Sequence, residues 1–474
     1  MQLHWHRDDL RCSDNVSLSA AATSADDLGA VVPVFVFDDD VLAHASPNRV
    51  AFMLDALDSL RADYRERGSD LLVRRGDPRE VLVDLAADLD AERVVWNRAH
   101  SGLGRERDAD VRDVLADADL EHEDFEDAIC HEPGSITTND GDPYKVYTYF
   151  WKKWRDREKA DPYDAPDADA LWSPGDAPVD AGDLPTQRDL GFEASTADLP
   201  AAGTDAARDR LLSFLDADVY EYAERRDYPA ADCTSHLSAD LKWGTIGIRE
   251  VDAEVRAARD MADDENARES VSEFRSQLAW REFYTHVLHY NPRVVSSNYK
   301  SYEHEIAWRD DPDELAAWKR GETGYPIVDA GMRQLLEEGY VHNRVRMIVA
   351  SFLTKDLQID WREGYAHYRE HLVDHDTAND NGGWQWAAST GTDAQPYFRI
   401  FNPMTQGEDY DPDAEYIRAY VPELRDADPD QIHSWHELSL SERNRAAPDY
   451  PAPIVDHGDR REAALAMYKS ARGE

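Results

Sequence analysis

Three short apolar runs, VVPVFVF (31–37), LLVRR (71–75) and RVVWN (93–97), punctuate the first 130 residues and are separated by stretches with helical periodicity. Helices are predicted from about Pro47 to Tyr64, from about Pro78 onward, and near 105–117. Strands that alternate with helices build βαβ units, and βαβ units close into a parallel sheet. That alternation restricts the first part of the chain to an α/β layer. No GxGxxG turn follows the first of these runs, which argues against a dinucleotide held at the edge of the sheet.

Beyond residue 130 the pattern changes twice. Residues 131–205 turn loop-like, and KADPYDAPDADALWSPGDAPVDAGDLPTQ is rich in Pro, Asp, Ala and Gly, the composition of a linker laid over a surface. From about 206 helical periodicity dominates, in DAARDRLLSFLDADVYEYAERRD, ESVSEFRSQLAWREFYTHVLHY, DAGMRQLLEEGY and NRVRMIVASFLTKDL. The expected organisation is an α/β domain over 1–130, a linker over 131–205 and an all-helical domain over 206–474.

Charge adds a second constraint. The chain has 98 acidic residues against 52 basic ones, a formal net charge of -46, with nine lysines and 43 arginines. At molar salt the Debye length is about 3 Å, so such carboxylates scarcely repel one another and keep the molecule hydrated. This is the surface of a protein adapted to high salt. The acidity is uneven: residues 271–400 carry 20 acidic and 14 basic residues and six of the 13 tryptophans, and between Trp384 and Pro403 only Asp393 and Arg399 are charged. Net charge therefore does not exclude contact with nucleic acid.

Cys12, Cys130 and Cys233 have no metal-ligand spacing, so no metal site is read here, and three dispersed cysteines argue for a reducing compartment. MQLHWHRDDLRCSDN places charges where a signal peptide needs an apolar core, and nowhere do 18 apolar residues run together. A cytoplasmic, membrane-free monomer is the expectation.

Several mixed faces could carry chemistry. Gln277, Trp280, Arg281 and Tyr284 fall at i, i+3, i+4 and i+7, a stripe that suits a polar aromatic ligand better than a core. Asn343, Arg346, Met347 and Ala350 form a second such face. TSHLS (234–238) offers hydroxyls and backbone N–H groups at a helix start, which fits a phosphate or an ordinary N-cap. VDHDTANDNGGWQW sets Asp374, Asp376 and Asp380 before Gly382 and Gly383, where a planar ligand could approach backbone. Trp308, Trp361, Trp384 and Trp386 read equally as packing aromatics.

Taken together, WHRDDLRCSDN (5–15), RRDYPAADCTSHLS (225–238), QLAWREFY (277–284), GYPIVDAGMRQLLEEGYVHNRVRMIVASFLTKDLQIDWREGY (324–365) and GGWQWAASTGTDAQPYFRIFNP (382–403) resemble the photolyase/cryptochrome family over nearly the whole chain. The similarity is greatest to class I cyclobutane pyrimidine dimer photolyases. It implies an N-terminal Rossmann-like α/β antenna domain and a C-terminal all-helical domain holding FAD. By motif matching, Tyr222, Thr234, Ser235, Leu237 and Ser238 would contact the FAD phosphates and sugar. Arg281, Asn343, Arg346, Asp374, Asp376 and Asp380 would surround the flavin, with Arg346 and Asp374 paired beside the ring. Gln277, Trp280, Met347 and Trp386 would line the pocket for a lesion flipped out of UV-damaged DNA. Trp384, Trp361 and Trp308 match the family's electron-hopping chain. The implied activity is light-driven splitting of the dimer by an electron from photoexcited, reduced FAD. A blue-light receptor without repair and a (6-4) photolyase are the alternative readings.

Four positions depart from the family pattern. Gln277 stands where a glutamate is usual, and glutamine cannot ionise. Asp380 stands where photolyases carry asparagine and plant cryptochromes aspartate, and a carboxyl buried against flavin is expected to act as a proton donor. In AHSGLGRERD (99–108), Leu103 and Gly104 replace folate-binding residues. An 8-hydroxy-5-deazaflavin antenna is therefore preferred to methenyltetrahydrofolate, although His44 fits the folate.

Overall fold

The computed structural model describes residues 1–175 and 179–474. Its strands are β1 (Gln2–His6), β2 (Val31–Phe37), β3 (Leu72–Arg75), β4 (Arg93–Asn97) and β5 (Glu121–Phe125), joined in one sheet in the order β3-β2-β1-β4-β5 with every pairing parallel. Trp5 stands opposite Val34 on one side and Trp96 on the other. The predicted helices are present as Pro47–Glu66, Pro78–Leu89 and Gly102–Asp117. Proline at the first helical position starts two of them, and the Asp77 carboxylate accepts from the Arg79 N–H to cap the second.

The sheet has two strands that the apolar pattern does not mark. β1, QLHWH, is buried throughout although two of its five residues are histidines, because His4 bonds Ser17 at 2.7 Å and His6 bonds Tyr64 at 2.7 Å. β5, EHEDF, needs only backbone pairing at the edge of the sheet. Its outward carboxylates meet arginines, Asp124 lying 2.6 Å from Arg98 and 3.0 Å from Arg112.

Packing divides the described residues into two units. The first comprises Met1–Ser195, Leu199–Tyr220 and Ser235–Pro292; the second comprises Thr196–Asp198, Glu221–Thr234 and Arg293–Glu474. Residues 131–205 are thus more than a surface linker. They contain the helix Tyr147–Asp156, which buries Tyr147, Phe150 and Trp154, and Trp172, which joins the core beneath the sheet. The helices Ile248–Met261 and Glu265–Tyr290, assigned by periodicity to the C-terminal part, belong to the first unit. Periodicity reports that a helix has an apolar face, not which neighbour covers it.

A buried arginine fixes the first of these helices. Arg249 reaches Asp14 Oδ1 and Asp127 Oδ1, both at 2.6 Å, and Arg11 takes the other oxygen of Asp127 at 2.6 Å. All four side chains are at most 5% exposed. Gly247 lets the helix start come this close, since a Cβ there would stand 1.8 Å from Asp14 Oδ2.

The second unit is helical throughout, with no strand among its described residues. Its helices enclose one core that includes Trp318, Trp361, Trp384 and Trp435. After Asn343–Ser351 the chain widens into a π-helical turn, Phe352–Asp356, before the helix Trp361–His371. Among the described residues no helix is long and apolar enough to cross a membrane.

Removing one partner of a buried ion pair strands the others. Arg249→Met is expected to cost about 3–5 kcal/mol in denaturant unfolding at molar salt, because Arg11 pairs with the carboxylate of Asp127 but reaches only the backbone carbonyl of Asp14. A loss below about 1 kcal/mol contradicts the anchoring role.

Candidate functional site

The residues singled out from the sequence divide between the two units. Gln277, Trp280 and Arg281 lie in the first with Ser235, Leu237 and Ser238; Tyr222, Thr234, Trp308 and the candidates from Asn343 to Trp386 lie in the second.

In the first unit, the helix Glu265–Tyr290 opens on Asp264, whose carboxylate accepts from the Ala267 N–H at 2.8 Å. Gln277, Trp280, Arg281 and Tyr284 are all half-buried, as expected of one mixed face. Trp280 stacks on Tyr147 with ring centroids 3.6 Å apart and planes 11° apart. Tyr147 is a site neighbour missed by the sequence reading, and the aromatic density of YTYFWKKW is the signal that could have found it. Gln277 folds back on its own helix, donating to Glu273 Oε1 at 3.1 Å and Ser276 Oγ at 2.9 Å.

Arg281 is drawn to backbone carbonyls: it donates to Ala128 O at 2.6 Å and Leu241 O at 2.9 Å. The neighbouring turns hold the same strand of chain. Glu282 accepts from the N–H groups of Cys130 at 2.8 Å and His131 at 3.1 Å, and His286 donates to His131 O at 2.9 Å. Arg281, Glu282 and His286 thus latch 128–131 to the helix. Burial pushes Glu282 up to about 8, His286 down to about 4 and His131 down to about 3. The TSHLS segment is less regular than its hydroxyls suggest. The helix Ser238–Trp243 begins on buried Leu237 without a side-chain cap, and Ser238 is exposed.

In the second unit, Arg346 is the centre of a charged group. It donates to Asp374 Oδ2 at 2.7 Å and to Val341 O at 2.7 Å, and stands 3.6 Å from Asp380 Oδ1. These carboxylates raise its pKa against the opposing effect of burial, the largest single influence on it. Asp380 also accepts from His375 Nδ1 at 2.6 Å, so its carboxylate lies between two nitrogen donors. Asp376 caps the helix Thr377–Ala387, accepting from the Asn379 N–H at 2.8 Å. Asn343 is exposed, its amide 3.9 Å from Met347 Sδ. Two polar atoms near this group, Asp374 Oδ1 and the Tyr368 hydroxyl, are buried without a hydrogen-bond partner in the protein. A Cβ at Gly383 would meet nothing within 4 Å. Buried polar atoms without a partner in the protein fit a large polar group such as FAD.

Trp384 and Trp361 are fully buried in the same core, and Trp308 packs against its edge, half-buried. The Trp384 ring lies flat on Gly364, where a Cβ would stand 2.0 Å from the indole. Gly364 is three residues after Trp361 on one helical face, with Tyr365 edge-on to Trp361 at 6.2 Å and Tyr368 edge-on to Trp384 at 5.0 Å. Trp308 meets Tyr468 edge-on at 6.1 Å. Trp386 is half-buried beside Phe401 at 6.5 Å.

The sequence matches two family models, the FAD binding domain of DNA photolyase over residues 274–470 and DNA photolyase over residues 2–168. It is 62% identical to a deoxyribodipyrimidine photo-lyase of Halobacterium salinarum, with all of both chains covered. The fold is similar to a crystal structure of a bacterial class III photolyase from Agrobacterium tumefaciens, with a TM-score of 0.90 and 36% identity over 100% of this chain and 98% of that one. It is also similar to a cryptochrome of Synechocystis, with a TM-score of 0.90 and 27% identity over 98% and 99% of the two chains.

Two measurements check this geometry. Gly364→Ala is expected to cost about 1–3 kcal/mol or more by overpacking and to shift the tryptophan emission, since the indole must move. On the latch, sign follows from the direction of each shift. His131 and His286 are depressed, so their contribution is complete above about 6.5 and is lost as pH falls, whereas raised Glu282 contributes in the opposite sense between about 4.5 and 8. Two protons against one leave a net loss of stability as pH falls from 6.5 to 4.5. Unfolding curves of Glu282→Gln, which lacks the offset, should fall more steeply with acid than those of the unaltered protein.

Proposed function

The chain belongs to the DNA photolyase family and carries that family's FAD-binding domain, and from this premise we propose that it splits cyclobutane pyrimidine dimers in UV-damaged DNA under light. The observation that carries the proposal is 62% identity, end to end, with a deoxyribodipyrimidine photo-lyase. The cryptochrome likeness, at 27% identity, supports a shared fold more than a shared signalling role.

Bound to this domain, FAD supplies light absorption and the single electron that opens the dimer. Arg346 and Asp374 orient the flavin, the arginine neutralising charge and the unspent Asp374 oxygen accepting a hydrogen bond. Asn343, Asp380 and, through its cap, Asp376 complete that side, and Arg281, which also donates to Ala128 O and Leu241 O, is assigned to it as well. Tyr222, Thr234, Ser235, Leu237 and Ser238 are assigned to the phosphates and sugar. Trp280 and Trp386, with Met347 and Gln277, offer flat or soft faces that replace the stacking lost by flipped bases. Trp384, Trp361 and Trp308 are assigned to pass electrons inward from the surface, and the half-buried Trp308 beside two fully buried indoles supports its place at the outer end. Buried indoles suit the task because no ionic side chain has to reorganise around them.

For the antenna we favour 8-hydroxy-5-deazaflavin over methenyltetrahydrofolate. Leu103 is 41% exposed, and Gly104 is small because its Cβ would stand 2.5 Å from that of Ala99, so neither offers a polar contact to folate. The protein is read as a cytoplasmic monomer, in keeping with its three free cysteines.

The test is illumination of the FAD-loaded, reduced protein with a thymine-dimer oligonucleotide at molar KCl, following recovery of thymine absorbance. Recovery is expected. No recovery with reduced FAD present leaves the photoreceptor reading, and recovery only with a (6-4) lesion leaves that enzyme. In the same assay Trp361→Phe should slow photoreduction of oxidised flavin at least tenfold while sparing repair by chemically reduced protein; equal loss of both contradicts the assigned role.

A further inference from the structure

His367, Glu370 and His371 close the helix Trp361–His371 and bring three ligand-type atoms within 4.8 Å of one another. Spacing of i, i+3 and i+4 puts them on one face. Glu370 Oε2 is 3.9 Å from His367 Nδ1 and 3.9 Å from His371 Nε2, and the two imidazoles stand 4.5 Å apart. His367 is 5% exposed and neither ring nitrogen makes a well-aligned hydrogen bond, although the Lys319 backbone lies near enough to act on it. A buried imidazole so weakly engaged leaves a lone pair for another group.

An ion pair accounts poorly for the cluster. At 3.9 Å the Glu370 carboxylate stands at the outer limit of an ion pair with either ring, too far for a hydrogen bond.

We propose that His367, Glu370 and His371 form a binding site for a divalent transition metal of the zinc class, with water completing the shell. Two imidazoles and one carboxylate favour zinc or copper over magnesium or calcium. A tetrahedral ion with ligands at about 2.0–2.1 Å needs ligand atoms about 3.4 Å apart. Closing from 3.9 Å falls to Glu370, which is exposed and free to swing. The helix presents its unpaired carbonyl end here, which favours a cation. Lys319 opposes it, so the affinity is below that of a structural zinc site. An ion held here also touches the aromatic core: His367 is edge-on to Trp318 at 5.7 Å, and Trp318 is edge-on to Trp384 at 6.0 Å.

The test uses the full chain with Cu2+ as probe, in molar KCl and excess Mg2+ to occupy surface carboxylates. Electron paramagnetic resonance is expected to show one Cu2+ per chain with two coordinated nitrogens, tryptophan emission should fall on binding, and Zn2+ should displace the copper. His371→Ala, at the rim, should weaken binding at least tenfold and remove one nitrogen, with His371→Gln as the substitute if the alanine variant unfolds. Copper bound only through oxygen and displaced by Mg2+, or binding unchanged in the His371 variant, overturns the proposal. Neither result depends on flavin or on repair.

Discussion

Trp384 can rest on the helix Trp361–His371 only because residue 364 has no side chain. That contact does more than fill the core. It aligns Trp361, Tyr365 and Tyr368 along one face against the second tryptophan, and it sets where the helix ends. From there Leu372 is buried, the Val373 N–H donates to Gly339 O at 2.9 Å, and the next residue, Asp374, arrives at Arg346. The proposed electron path and the proposed flavin ion pair thus share one mechanical origin. A shift of the helix by even a fraction of a turn would disturb both together.

The charge of the molecule acts on two levels. Exposed pairs such as Arg79 with Asp77 are nearly worthless at molar salt, where screening is complete within a few ångströms. Buried pairs keep their strength because ions cannot reach them, and here they are built from arginine: Arg249 with Asp14 and Asp127, Arg346 with Asp374, Arg210 with buried Asp240. Guanidinium offers several fixed donors to a carboxylate, whereas an ammonium offers a point charge. A chain with 43 arginines and nine lysines can hold its interior by directional bonds while its surface carboxylates stay in the hydrated brine. The same division lets the near-neutral aromatic stretch remain available for bases.

How much of this was legible in the sequence depended on whether a signal is local. β2, β3 and β4 announce themselves through β-branched residues, and the helices after residue 204 through periodicity. β1 hides because histidines bonded to Ser17 and Tyr64 replace apolar residues, and β5 because an edge strand needs only its backbone. Tyr147 was lost in a segment whose Pro and Asp content reads as linker, although its ring lies 3.6 Å from Trp280. Arg281 matched a motif yet spends its donors on Ala128 and Leu241, partners about 153 and 40 residues away that no local pattern encodes. Motif residues are legible from spacing; what each one spends its hydrogen bonds on is not.

The two departures from the family pattern at the proposed site look different once their neighbours are named. Gln277 lacks a charge, but one turn earlier Glu273 presents a carboxylate oxygen 3.1 Å from its amide, so the helix face still carries an acid. Asp380 introduces a charge, but His375 at 2.6 Å and Arg346 at 3.6 Å are placed to hold it. Aspartate at 380 is therefore no mark of a photoreceptor by itself, because His375 and Arg346 engage its carboxylate from both sides.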